Sequence, residues 1–424
     1  MRRICINFGS RLKLGKKEPK VKSTGQKILL LGTIAAYCLI GIEILIMISP
    51  FALYFYSVYA PVLNFLASSP LTSWTTEFFL PHMVFLNDPF IQAVSYLQLL
   101  LVIGLVLFFT AAVPLYWGRF TGRGVVSVSF YSKIRHPQYL FLALSGFGLL
   151  LYWPRFIILI FYISMLYVYY ILARNEEWRM KLEAPGAYEK YMENTPMFLP
   201  GEPGGRVYAA LLGWIKPKWA GLLVSYLIVL TLSVFLAVGL RNYTIKQLPI
   251  VQEKSITLVP VFERPKSEIH DLYKAILTSD RVQKFLDQHD DVNLAYIMPG
   301  DFFLAALVTD EDRRFSDDII KHFPEVLEWH EHKFKGGLGK FFRIFYNFIG
   351  ALGGIETDYD IERFIFVSVT DDTGKPVALD NLFDLGQRRS PVLLVDYDHF
   401  EEIVVTTIET TDKNKWGTVP MPTF

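Results

Sequence analysis

The chain has 424 residues, 52% of them hydrophobic and 15% aromatic, with a formal net charge of +1. That is too apolar for an ordinary soluble protein of this length, and the near-zero charge excludes a global basic field of the kind that holds nucleic acid. Two cysteines, Cys5 and Cys38, exclude a disulfide framework and a cysteine metal site.

The first 26 residues form a basic tail, with nine Lys and Arg residues ahead of Ile28. The apolar run that follows is long and lacks a small-residue cleavage site, so it reads as a retained anchor. A helix crossing a hydrocarbon layer roughly 30 Å thick needs about 20 apolar residues. Residues 28–49, 91–115 and 219–240 each meet that length. Glu43, inside the first run, is expected to make a polar contact between helices or to line a path for a ligand. Between Gln138 and Leu172 the apolar stretch breaks at Trp153-Pro154-Arg155. Its first arm would span only about 22 Å at 1.5 Å per residue, which predicts two helices in a tight hairpin. The expectation is therefore a polytopic α-helical bundle of about five transmembrane helices over residues 27–240.

Orientation follows from the basic residues near helix ends. Residues 28–90 contain no Lys or Arg, whereas 1–27, 117–136 and 174–218 are rich in both. Those three segments are expected to be cytoplasmic. Five spans then put the remainder of the chain on the opposite face of a bacterial inner membrane or of the endoplasmic reticulum.

Residues 250–424 lose the continuous apolar character and are long enough to bury a core of their own. His270 to His289 has helical spacing, and 364–369, 392–396 and 403–408 are short β-branched and aromatic runs bounded by turn residues. The segment is expected to be an extramembrane α+β domain of unassigned role. His330 and His332 flank Glu331 near Glu328, but alternation on a charged helix face explains them equally well and no third ligand has a recognisable spacing, so no metal is expected. The glycine-rich run 335–340 has Phe334 where a phosphate loop needs glycine. Residues 340–354 read as an interfacial or buried helix.

The chemistry is concentrated between Tyr131 and Pro200. Arg135-His136-Pro137-Gln138-Tyr139 precedes the hairpin, and Glu176-Glu177, Tyr188, Tyr191, Pro196 and Pro200 follow it. Polar groups this costly to place at a membrane are seldom there for packing alone. In order and spacing these residues resemble the isoprenylcysteine carboxyl methyltransferase and phospholipid methyltransferase superfamily, over about 70 residues of the chain. Phe141 stands where that family commonly has glycine, Ala184-Pro185 where it has Phe-Gly, and Met197 where it has a basic residue.

The resemblance implies an integral membrane enzyme using S-adenosylmethionine, with Arg135, His136 and Glu176 catalytic. It implies cofactor contacts from Arg135, His136, Pro137, Tyr139, Glu176, Glu177, Tyr188 and Tyr191. The residue types suit that cofactor. Arg135 can pair bidentately with a carboxylate of cofactor or acceptor, the glutamates can accept from ribose hydroxyls or an ammonium, and the tyrosines offer flat faces and hydroxyls. Pro137 disfavours helix at His136, so nearby backbone N–H groups are expected to be open to a ligand. His136 or a glutamate is the candidate base for an acceptor that must lose a proton. The implied acceptor is a lipid or prenylated molecule from the bilayer, most simply the carboxylate of a prenylated cysteine. The alternatives are a phospholipid amine and, in another class, a non-catalytic anchor carrying a distal binding or sensor domain.

Overall fold

The computed structural model describes residues 60–82, 84–120, 129–183, 186–300 and 361–409. The first expected span, Glu43, both cysteines, His330, His332, the glycine-rich run and residues 340–354 lie outside the described residues.

The helices in chain order are α1 (Ala60–Ala67), α2 (Pro89–Tyr96), α3 (Leu100–Phe120), α4 (Pro137–Tyr152), α5 (Phe156–Glu183), α6 (Ala187–Asn194), α7 (Pro203–Leu212), α8 (Lys218–Ile245), α9 (Lys266–Ile276) and α10 (Asp280–Gln288). The strands are β1 (Val251–Glu253), β2 (Ile256–Pro260), β3 (Val292–Pro299), β4 (Ile361–Thr370), β5 (Arg388–Asp398) and β6 (Ile403–Glu409). By their contacts, the described residues divide into two compact units. One draws on 97–149 and 161–231; the other draws on 60–96, 150–160, 232–300 and 361–409.

Among the described residues three helices are long and apolar enough to cross a membrane: Pro89–Pro114, Phe156–Leu182 and Lys218–Ile245. Little of the first and third is covered by protein, and Ile103, Val106, Phe109 and Val113 form an exposed apolar stripe along α3. Such a stripe would be unfavourable against water and neutral against lipid. α4 is apolar but has 16 residues, about 24 Å of helix, short of a full crossing. It and α5 are the expected hairpin, broken at Trp153-Pro154-Arg155 because proline cannot continue the helix that precedes it.

α3 and α4 approach closely because two glycines remove the side chains that would hold them apart. A Cβ on Gly148 would lie 2.2 Å from the backbone nitrogen of Leu101, and one on Gly104 would lie 2.4 Å from that of Ser145. The Ser145 hydroxyl then donates to the Leu101 carbonyl at 3.1 Å. Phe141 packs with Tyr131 and Ala111 and meets Phe130 edge-on at 4.9 Å. The close approach is thus made by Gly104 and Gly148, and bulk is accommodated at position 141.

The other unit is built on one six-stranded sheet in the order β1-β2-β3-β4-β5-β6. β2 and β3 are parallel, joined through α9 and α10, and every other neighbouring pair is antiparallel. The single apolar pattern from His270 to His289 resolves into two helices, since Thr278-Ser279 turns the chain before α10 begins. Ile269, Leu272, Tyr273 and Ile276 of α9, with Val282 and Phe285 of α10, pack on Leu258, Ala295, Ile297, Phe364, Phe366, Leu393 and Val395. β3 is buried along its whole length, so Leu294, Tyr296 and Met298 are covered on the opposite face too.

Buried charge gathers within this unit. Glu77 accepts from Arg389 at 2.7 and 2.9 Å, and Arg241 Nη2 lies 3.5 Å from the same carboxylate. Arg241 also donates to the carbonyls of Phe78 and Phe383, and Arg389 to that of Leu382. Arg155, at the hairpin turn, donates to the Thr76 carbonyl and lies 3.9 Å above the Phe78 ring. The His82 ring stacks on Phe78 at 4.7 Å and contacts Trp153 at 4.4 Å. Although part of the residue stays open, burial of the ring followed by the Arg155 charge pushes the His82 pKa down to about 3. Burial pushes the Tyr296 phenol up to about 12.

Candidate active site

Pro137 is the first residue of α4, where its missing N–H costs nothing and its fixed φ suits a helix start. The two residues before it lie outside the helix. Their N–H groups pair with the segment after α6: Arg135 donates to the Pro196 carbonyl at 2.9 Å and His136 to that of Met197 at 3.1 Å. This corrects the expectation that these backbone groups are open to a ligand; the tail containing Pro196 and Pro200 takes them. Met197 is buried, and its backbone rather than its side chain secures the motif. Ala184 and Pro185 lie outside the described residues.

The tail is held from both sides. Arg135 donates through Nε to Glu177 at 2.7 Å, with the two side chains 8% and 3% exposed. Its Nη1 donates to the carbonyls of Met192 and Thr195, and Nη2 lies 3.7 Å from Glu202. The carboxylate opposite Arg135 is therefore the chain's own Glu177. Tyr191 donates its hydroxyl to the Tyr131 carbonyl at 2.6 Å. Tyr131 in turn bonds Gln138 Oε1 at 3.0 Å.

Glu176 and Glu177 sit on the last turns of α5 and face the motif together. Tyr139 donates to Glu176 at 2.7 Å. His136 lies between the two carboxylates, with Nδ1 3.6 Å from Glu176 and Nε2 3.5 Å from Glu177. Among the described residues, His136 Nε2 and Glu177 Oε2 make no hydrogen bond although both side chains are buried. Tyr188 and Tyr191, three apart on α6, tilt against each other at 5.8 Å. Burial, and after it the Glu177 charge, raises the Tyr188 phenol above its ordinary pKa; burial also raises that of Tyr191.

All eight expected residues thus fall in one cluster, with Arg135, His136, Glu176 and Glu177 at its centre and Tyr188 and Tyr191 behind the Arg135 pair. Four further residues belong to it that the motif does not contain. Arg174 lies 3.7 Å from Glu177, one helical turn before it. Tyr169 stacks on Tyr139 at 5.2 Å, and Phe198 lies 5.9 Å from His136. Glu202 accepts from the Met197 N–H at 2.6 Å. Its backbone is left-handed at φ 44, following Gly201 at φ 75, a conformation a non-glycine residue holds only when its surroundings require it. The i, i+3 relation of Arg174 to Glu177 and the Pro-Gly turn before Glu202 are the sequence signals for two of them.

Three carboxylates, two guanidiniums and one imidazole make a set that accepts more hydrogen bonds than it donates to a ligand, since Arg135 is occupied internally. Such a set suits a cationic, hydroxylated molecule flanked by aromatic faces. Compared with protein-family models, curated proteins and solved structures, the chain has no match.

Proposed function

We propose that the helical part of this chain is an S-adenosylmethionine-dependent methyltransferase of the isoprenylcysteine carboxyl methyltransferase type, acting on a lipophilic acceptor at a membrane. The observation that supports this most is the meeting of two elements 42 residues apart, Arg135 with Glu177 and, beside them, Tyr139 with Glu176, both at 2.7 Å. A fortuitous motif match does not require its halves to meet. In this reading the first expected span and α4 join the three membrane-length helices to make five crossings, with the Arg135 cluster on the cytoplasmic face. The Lys- and Arg-rich segments around the motif support that orientation.

The residues fit the cofactor by the chemistry of their free valences. S-adenosylmethionine, when bound, supplies an electrophilic methyl group on a sulfonium. Glu176, the more open glutamate, and the unbonded Oε2 of Glu177 are the acceptors for its ammonium or ribose hydroxyls. Tyr139 and Tyr169 offer stacked rings for a flat base. Arg135 acts as a positioning residue: it fixes Glu177 and the tail, leaving the acceptor's charge to other groups. His136, between Glu176 and Glu177, is the group to take a proton from an acceptor that carries one, and an ionised carboxylate needs none. Displacement at carbon then requires chiefly alignment and exclusion of water.

Incubating membranes that contain the protein with methyl-labelled cofactor tests the reaction. Base-labile, volatile label identifies a methyl ester; label retained in lipid head groups identifies the amine rival; no transfer to any acceptor rejects the enzyme. One observation favours a non-catalytic anchor instead, namely that every Arg135 nitrogen already has a protein partner. That reading predicts no cofactor binding at all.

A further inference from the structure

α7 has ten residues and none is buried. Val207 and Leu211 on it, Trp214 just past its end and Trp219 in the first turn of α8 are 57%, 66%, 77% and 68% exposed. Isolated helices shorter than about 12–15 residues are marginal in water even when rich in alanine. A shorter helix that turns Val207, Leu211 and Trp214 outward along one face needs something to cover that face.

Its position indicates what covers it. Only residues 213–217 separate α7 from α8, and a chain that short reaches at most about 20 Å. The two are also in contact: the Tyr208 hydroxyl occupies the space beside Gly221, 2.4 Å from where a Cβ would be, so Tyr208 rests on the first turn of α8. α7 therefore lies where α8 enters the bilayer. No Asp or Glu occurs from Pro203 to Lys246, while Arg206, Lys216 and Lys218 are exposed. Two tryptophans beside the start of a span match the residues enriched at the head-group layer.

We propose that α7 lies flat in the head-group layer, with Val207, Leu211 and Trp214 at the acyl boundary and Arg206, Lys216 and Lys218 on the phosphates of anionic phospholipids. This rests on α8 crossing a bilayer and does not depend on methyl transfer. It has a consequence for the polar cluster, because Glu202 immediately precedes α7, accepts from the Met197 N–H and pairs with Arg135 at 3.7 Å. The cluster is thereby held at head-group depth, where the polar end of an amphiphile lies.

The test uses the full chain with Cys5→Ser and Cys38→Ser and single fluorophore-labelled cysteines, Leu211→Cys, Gly205→Cys or Leu232→Cys. The proteins are placed in phosphatidylcholine vesicles with or without phosphatidylglycerol, and doxyl-labelled lipid is the quencher. Expected are loss of most emission at 211 and 232, little loss at 205, and stronger quenching at 211 when anionic lipid is present. That dependence should vanish with Arg206→Gln, Lys216→Gln and Lys218→Gln together. In otherwise native protein, Trp214→Phe should reduce the lipid-quenchable tryptophan emission. Quenching at 232 without quenching at 211 overturns the proposal, as does disulfide cross-linking of two copies through Leu211→Cys. An unquenched 232 probe removes the bilayer reading of α8 and the proposal with it.

Discussion

The buried arginine–glutamate clusters around Arg135 and around Glu77 differ in how they are assembled. Around Arg135 the partners come from a 70-residue stretch, and two side chains, His136 and Glu177, retain atoms without a hydrogen bond. Around Glu77 the partners are 312 residues away at Arg389 and on α8 at Arg241, and the guanidiniums are tied to backbone carbonyls. The first sets an imidazole between two carboxylates, one of them partly open at Glu176, in an aromatic setting; the second fastens remote segments of one unit together, and Nε of Arg389 there makes no hydrogen bond either. Buried charge is therefore no sign of a site by itself. What distinguishes the candidate site is its mixture of imidazole, partly open carboxylate and aromatic faces.

The largest effect expected from this contrast is in the second cluster. Glu77→Ala leaves Arg241 and Arg389 buried without a counter-charge, and removing one partner of such a pair costs about 3–5 kcal/mol. The thermal midpoint of the full-length protein in detergent should fall sharply. An unchanged midpoint would mean that the carbonyls alone satisfy the two arginines.

Next in size is the packing that positions the first cluster. Gly148→Val puts a branched side chain where even a Cβ would lie 2.2 Å from backbone. Overpacking of this kind costs typically about 1–3 kcal/mol. Loss of folded protein is expected for Gly148→Val but not for Gly239→Val, where nothing lies within 4 Å of the added atom.

A smaller effect concerns pH. His82 in the folded chain titrates near 3 against an ordinary 6.5, so below 6.5 the unfolded chain takes up a proton that the folded chain refuses. Its contribution to stability is complete above 6.5 and is lost as pH falls toward 3. His82→Phe keeps the stack on Phe78 and should flatten the acid limb of the midpoint-versus-pH curve. An unaltered limb would assign the acid sensitivity elsewhere.

The sequence revealed the elements whose signal is local. Membrane-length apolar runs, the Trp153-Pro154-Arg155 break and β4 to β6 are legible because length, proline and turn residues act over a few positions. β1, with three residues, gives no strand signal, and neither do β2 and β3. The latter two are covered on both faces, so Ile256–Pro260 and Val292–Pro299 lack the alternation that marks a half-buried strand. The residues of the Arg135 motif lie together in the structure. The motif did not reveal that Pro196 and Met197 take the backbone donors or that Glu202 completes the Arg135 shell, because those contacts depend on where the tail folds back. Nothing in the spacing around Glu77 hints at Arg389.

The smallest predicted change separates the two clusters by function. Tyr139→Phe removes one hydrogen bond to Glu176, worth about 1 kcal/mol, and should weaken cofactor binding roughly fivefold with little change in the unfolding midpoint. A drop in the midpoint with affinity unchanged would make Tyr139 a packing residue.

The most direct measurement is a titration of the purified full-length protein with S-adenosylmethionine, alongside Glu176→Gln. Saturable binding on the order of micromolar, about 8 kcal/mol, is predicted for the native chain. It should be lost in the variant while the fold persists. A folded native chain that binds no cofactor would contradict the methyltransferase reading and leave the Arg135 cluster, like the Glu77 cluster, a structural clasp.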